Sequence, residues 1–339
     1  MASFLCELIS KCRSLSIIGM CKNAGKTTVL NHIIQNFAGD GQALALTSIG
    51  RDGEAVDVLT GTAKPGIYVY AGSLIATASE LLDECDITRE ILFTTGIYTP
   101  LGEVVVIRAL SDGYVQLAGP SMISQLEQLS QRFLQSGASR IIIDGAVSRK
   151  TLCSRSLTEG TVLCSGASCG VSMDAVVKET LHVCEMLSLP LAEDTAPGEL
   201  IRKGKNSANK TILFGREQIT LPPLLSIEEG LRKYPQNETT GVYIDGALSD
   251  YLLQQLLLSG AELSGINFIV RDASKILVSS ANYRKLRLKG SGIRVLDDVN
   301  LLAVTINPFS AYGNNFNNNR FRESLAEQLK VPVLNVEDI

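Results

Sequence analysis

A β-branched run, Ser14–Gly19, leads through Met20-Cys21-Lys22-Asn23-Ala24 into Gly25-Lys26-Thr27-Thr28 and then into an apolar-periodic segment. A strand that feeds a small, glycine-bearing loop and then a helix admits few folds. The backbone N–H groups of such a loop converge at a helix N-terminus, which is an anion-binding arrangement. Strand, loop, Gly-Lys-Thr and helix, in that order, form the context that a phosphate-binding P-loop needs. On this reading Gly19, Lys22, Asn23, Ala24, Gly25, Lys26, Thr27 and Thr28 cradle a nucleoside triphosphate. Lys26 reaches the β- and γ-phosphates and the Thr27 hydroxyl meets Mg²⁺. The spacing departs from the usual pattern: Met20 stands where the first glycine belongs and Gly19 lies one residue further back, giving Gly-x₅-Gly-Lys-Thr. The plainer alternative is a chance Gly-Lys-Thr-Thr at a helix cap. The following segment puts Val29, Leu30, Ile33, Ile34 and Phe37 on one helical face, and Gly39 and Gly41 end it. His32 lies off the Ile33/Phe37 ridge and reads as a surface or half-buried side chain rather than a catalyst.

A triphosphate with Mg²⁺ needs acids at the carboxyl ends of neighbouring strands, where ligands bind in open α/β sheets. Asp144 ends Ile141-Ile142-Ile143 and is the first candidate, placed as a Walker-B acid is. The second stretch is Thr47-Ser48-Ile49-Gly50-Arg51-Asp52-Gly53-Glu54. There Asp52 or Glu54 serves as a second Mg²⁺ acid and Arg51 meets a phosphate, unless the stretch is only a solvated turn, since Arg-Asp-Gly is good turn chemistry. Arg149 and Lys150 follow Asp144 and either neutralise phosphate or cap a surface loop. Catalytic roles thus fall on Lys26, Asp144 and Asp52, and metal ligation on Thr27, Asp52 and Asp144. Base specificity is poorly marked. Asn307-Pro308 is either an adenine contact or an ordinary strand-to-turn junction.

Composition excludes several classes. Net charge is −4 with no basic run, which argues against nucleic acid as the main partner. With only two histidines, His32 and His182, no Ser-His-Asp set is plausible. No window approaches the uninterrupted apolar length of a membrane span. Glu7 interrupts the apolar N-terminal run and no positive segment precedes it, so a secretory signal is not expected. The eight cysteines form no C-x-x-C and read as reduced, mostly buried cytoplasmic thiols. Cys164 and Cys169, with Cys153 nearby, could make a metal or redox site, but partner histidines are lacking. Cys21 is the thiol expected to be shielded by bound nucleotide.

Strand-like and helix-like segments alternate, which predicts a mostly parallel sheet covered on both faces. A helix is expected near 76–85, a hairpin from Ile91–Thr95 and Glu103–Leu110, and a third antiparallel strand at Tyr114–Leu117. The piece between about 60 and 118 thus reads as an antiparallel edge extension or insertion. Pro190–Lys210 is the boundary candidate, dividing a P-loop domain at 1–195 from a second α/β domain at 205–339. Ile143-Asp144-Gly145-Ala146-Val147-Ser148 recurs as Ile244-Asp245-Gly246-Ala247-Leu248-Ser249. The echo is either a duplicated sheet–turn unit or convergent strand-end chemistry.

Gly19-x₅-Gly25-Lys26-Thr27, with Asp144-Gly145-Ala146 and an acid after strand two, resembles the dethiobiotin synthetase-like group of P-loop NTPases over about residues 14–170. In some dimeric members a second loop lysine lies five residues before the main one. Here that position is Cys21. A narrower resemblance covers most of the chain. Lys22-Asn-Ala-Gly-Lys-Thr-Thr28, Thr47-Ser-Ile-Gly-Arg-Asp-Gly-Glu54 and Asp144-Gly-Ala-Val-Ser-Arg-Lys150 look like a reactivase subunit for a B12-dependent lysine 5,6-aminomutase of amino-acid fermentation. The cobalamin motif Asp-x-His-x-x-Gly is absent. The resemblances imply ATP and Mg²⁺ as cofactors and slow hydrolysis coupled to a protein partner, a second reactivase subunit or the aminomutase. An ATP-dependent small-molecule ligase or kinase is the alternative they imply.

Overall fold

The computed structural model describes residues 4–38, 43–50, 66–146, 153, 155, 157–192, 211–215, 218–221, 227–233 and 239–339. Arg51, Asp52, Glu54, Arg149 and Lys150 lie outside them. The chain divides into two units, Met1–Leu181 with Asn300–Ile339, and His182–Val299.

The first unit opens with α1 (Phe4–Ile9), β1 (Ser14–Gly19), α2 (Lys26–Phe37) and β2 (Ala43–Ser48). β3 (Ile67–Val69), β4 (Leu74–Ala78), β5 (Arg89–Thr99), β6 (Gly102–Ala109) and β7 (Gly113–Val115) follow. Then come α3 (Ile123–Gln135), β8 (Ala138–Ala146), β9 (Gly160–Gly166) and α4 (Met173–Leu187), which runs into the second unit. That unit holds β10 (Thr211–Phe214), β11 (Gln218–Leu221), α5 (Ile227–Lys233), β12 (Gly241–Ile244), β13 (Leu248–Ser249) and α6 (Asp250–Leu258). It continues with β14 (Asn267–Val270), β15 (Ile276–Leu277), α7 (Ser280–Leu288) and β16 (Gly292–Val295). β17 (Leu301–Asn307), α8 (Asn318–Ala326) and β18 (Val333–Asn335) close the chain.

The first unit is built on a nine-stranded sheet in the order β18-β17-β9-β1-β8-β2-β4-β6-β5. It is parallel from β18 to β4, and the β5–β6 hairpin adds an antiparallel edge. Parallel strands covered on both faces need continuous apolar runs rather than alternation. Leu15, Ile17 and Ile18 of β1 and Ile141–Ile143 of β8 meet that need and are buried. α2 packs its predicted face inward through Val29, Leu30, Ile33 and Ile34. α3 does so through Leu126, Leu129 and Phe133. Each such side chain contributes about 1.5–3 kcal/mol by leaving water.

The second unit carries a five-stranded mixed sheet, β11-β10-β12-β14-β16, with its own core, which includes the fully buried Phe268. Two sequence expectations need correction here. Residues 300–339, expected in the second domain, return to the first sheet: β17 pairs with β9 and β18 with β17. The second unit is therefore an insertion between α4 and β17. No composition shift marks the point of return, because β17 is as apolar as any central strand. The helix expected near 76–85 is also absent. Leu74–Ala78 is a fully buried strand pairing with β2 and β6, and only Ser79–Glu84 turns, as a 3₁₀ helix. Tertiary pairing overrides helix propensity there. Tyr114–Leu117 contributes β7, but it pairs with β3 in a separate two-stranded sheet rather than extending the hairpin. No helix of the described residues is long and apolar enough to cross a membrane.

Candidate functional site

β1 enters the sheet between β8 and β9. In register, Ile17 stands opposite Asp144 of β8, and Gly19 stands opposite both Ala146 of β8 and Cys164 of β9. Ser48, the last residue of β2, flanks Asp144 on its other side. Asp144 thus sits at the carboxyl edge of three adjacent parallel strands, where an acid paired with the β1 loop has to be.

The loop leaving β1 turns through two left-handed residues, Asn23 (φ 62°) and Gly25 (φ 90°). A side chain at the second would be strained. It would also be crowded, since a Cβ on Gly25 would lie 2.9 Å from Val336 and 3.3 Å from the Asn307 side chain. Lys26 begins α2, and its stem runs back across Gly19: a Cβ there would fall 2.6–2.8 Å from three of the stem carbons. Its Nζ donates to Asp144 Oδ1 at 3.1 Å, both side chains being one-quarter exposed.

Other contacts hold the loop. Met20 N donates to Cys164 O at 2.9 Å. Asn307 Nδ2 donates to Asn23 O at 3.0 Å, and Asn307 Oδ1 accepts from Phe309 N at 3.1 Å. Ala24 is buried, and a Cβ on Gly166 would come within 3.3 Å of its Cα. Four strand ends, those of β1, β9, β17 and β18, therefore meet around residues 23–25. Asn307 spends both ends of its amide on backbone, which supports the strand-junction reading over an adenine contact.

One expectation about the loop is overturned. Cys21 is not a reduced thiol but is disulfide-bonded to Cys169, which follows β9, with Cα atoms 5.3 Å apart. Cys6, Cys12, Cys153, Cys164 and Cys184 are buried and not disulfide-bonded. Burial pushes the Cys164 thiol, beside the Lys26–Asp144 pair, up to about 12. Among the described residues no group of three or more His, Cys, Asp or Glu side chains is placed to hold a metal ion.

α2 starts without the usual supports. Gly25 provides no side-chain cap, and no acid lies in the first turn. The first helical residue is instead a lysine, the wrong sign for the positive end of the helix dipole. Helices α6, α7 and α8 are capped by Ser249, Ser279 and Asn317. An anion at the start of α2 would answer both the amides of its first turn, which no side chain caps, and its lysine. Thr27 and Thr28 lie in the same first turn, and Lys22 is exposed on the loop. Thr27 and Asp144 offer the hard oxygen donors that suit Mg²⁺, which keeps several waters and takes few protein ligands.

Gly19, Asn23, Ala24, Gly25, Lys26 and Asp144 are brought together as the sequence suggests. Gly166, Asn307, Val336 and Cys169 join them from far along the chain. Of these, Asn307 and Cys169 stood out in the sequence, each under another reading, and Gly166 and Val336 carried no local signal. Compared with family models, with curated proteins and with solved structures, the chain matches none.

Proposed function

We propose that this protein binds a nucleoside triphosphate, ATP, together with Mg²⁺ on the Gly19–Thr28 loop and hydrolyses it slowly. The observation that carries the reading is the Lys26–Asp144 pair, at 3.1 Å, lying at the carboxyl ends of adjacent parallel strands beside an uncapped helix start. Lys26 exchanges its carboxylate partner for phosphate oxygens when the nucleotide arrives, and the loop amides and the α2 dipole take the remaining charge. Asp144 and Thr27 hold the metal, which neutralises charge on the phosphates. Asp52, Arg51, Arg149 and Lys150 complete the proposed set from the adjoining segments on sequence grounds alone.

The hydrolytic cycle serves an accessory role. Phosphate contacts hold loops whose release is felt by a protein partner. The three matching sequence segments support a reactivating factor for a B12-dependent aminomutase, acting in the cytoplasm. Calorimetric titration with ATP and GTP in Mg²⁺, paired with phosphate release, tests the site. Lys26→Ala should abolish binding while leaving the fold intact, and an unchanged ATP affinity in that variant would overturn the assignment.

A further inference from the structure

The disulfide lies where β1 and β9 stand side by side in the first sheet and their outgoing connections run to opposite sides. From β1 the chain proceeds to β2 and β4 on one side. From β8 it crosses back to β9, with β17 and β18 beyond. In open α/β sheets ligands bind at that switch point, outside the carboxyl ends of the strands. The loops on its two sides are residues 20–25 after β1 and 167–172 after β9, and Cys21–Cys169 joins them. Both cysteines are half-buried and pack in part against the core of the first unit. Their Cα separation of 5.3 Å is ordinary for a bridge, so the backbone need not move to make or break it.

Cys6, Cys12, Cys153, Cys164 and Cys184 lie outside the bridge and are buried. The bridge closes one end of a loop whose other fixed points are the Asn307 contact to Asn23 and the burial of Ala24. Besides the bridge, the Met20 amide donates to Cys164 O and Thr180 Oγ1 donates to Met20 Sδ at 3.3 Å.

We propose that Cys21–Cys169 is a thiol–disulfide exchange site that controls nucleotide affinity, the closed form holding the loop ready and reduction slackening it. The inference rests on the nucleotide reading above. Its co-substrate is a dithiol. One thiolate of the dithiol attacks Cys21 Sγ and forms a mixed disulfide, while the bond to Cys169 breaks and Cys169 leaves as a thiolate that takes a proton. The second thiol of the reductant then displaces Cys21. Two protein thiols and a cyclic disulfide result, two electrons and two protons having passed to the protein. In reducing compartments protein disulfides of this kind are transient and regulatory.

The test compares the full chain, oxidised and after dithiothreitol treatment, in Mg-ATP titrations and in amide hydrogen exchange of residues 20–25. Lys26→Ala sets the non-binding baseline. The oxidised protein should bind about fivefold or more tightly, the scale of ordering a short loop in advance, and exchange should quicken on reduction. Cys169→Ser should match the reduced wild type and ignore dithiothreitol. Equal or tighter binding by the reduced protein overturns the proposal, as does peptide mapping that finds the two cysteines unlinked under oxidising conditions. Absence of ATP binding in both states overturns the nucleotide reading instead. The exchange comparison then decides the loop restraint by itself, and unchanged rates reject it.

Discussion

Replacing Gly19 by alanine separates the fold from the site. The new methyl would lie 2.6, 2.7 and 2.8 Å from Cδ, Cγ and Cε of Lys26, so something must move. The neighbours are the flexible stem of a side chain and not backbone, so Lys26 gives way. Overpacking of ~1–3 kcal/mol is largely relieved by that movement. It is further offset by ~0.4–1 kcal/mol from the stiffer unfolded chain. Losing the Lys26–Asp144 pair adds little, because both groups are one-quarter exposed and such pairs are worth ~0–1 kcal/mol. Stability to urea should therefore change by no more than about 1 kcal/mol. Affinity should not survive in the same way. A displaced lysine forfeits a charge-assisted contact to phosphate worth ~1.5–3 kcal/mol, or roughly 10- to 150-fold in Kd. Calorimetric titration with Mg-ATP reads that loss. Because Gly19→Ala acts through Lys26, the double variant with Lys26→Ala should bind no worse than Lys26→Ala alone. Wild-type affinity in Gly19→Ala, or losses that add in the double variant, would refute the account of why this position is glycine.

Asp144→Asn keeps the shape and removes the charge. ATP affinity in Mg²⁺ should fall about tenfold or more, the scale of one lost charged contact, while binding in EDTA should hold or improve as Lys26 is released; equal losses in both media would count against a metal role. Phe268→Ala removes a fully buried ring from the second unit's core and should cost ~3–5 kcal/mol. Urea unfolding measures that cost, and Mg-ATP affinity should stay unchanged if the site belongs to the first unit alone. Burial lowers the pKa of His32 below 6.5. Its neutral form thus contributes stability that is present above pH 6.5 and lost as pH falls through the lowered folded value. Denaturant midpoints at pH 7.5 and 5.5 should differ less in His32→Gln than in the wild type, and an equal difference would show that another group carries the acid sensitivity.

The loop and its acid were legible because their chemistry is local. Gly25-Lys26-Thr27 follows a strand and opens a helix within a few residues, and Asp144 announces itself by ending Ile141–Ile143. The β5–β6 hairpin was legible for the same reason, with Leu101-Gly102 at its turn. What the sequence hid is non-local. Val336 and Asn307 pack on Gly25 from the far end of the chain, and nothing in Leu301–Asn307 says which sheet it will join. Arg140 makes the same point. In the fold it is buried, donates to Ile9 O and Ser10 O at 2.6 and 3.0 Å, and stacks over Phe37, so it closes the carbonyl end of α1. Cys21 and Cys169 were each visible, but their pairing depends on β9 lying beside β1, which no spacing reveals.

The return of residues 300–339 to the first sheet also orders events during synthesis. The His182–Val299 unit is continuous, so it can fold as soon as it clears the ribosome. The first unit cannot finish until β17 has docked against β9 and β18 against β17. Until then, Gly25 lacks the Val336 and Asn307 contacts that shape the loop, and β9 stands as an open edge able to pair with other chains. A message cut short between Val299 and β17 would yield a product with a finished insertion and an unfinished site. The position of β17 and β18 thus makes assembly of the site contingent on translation through residue 335, and it leaves the nascent chain dependent on protection of one strand edge in the meantime.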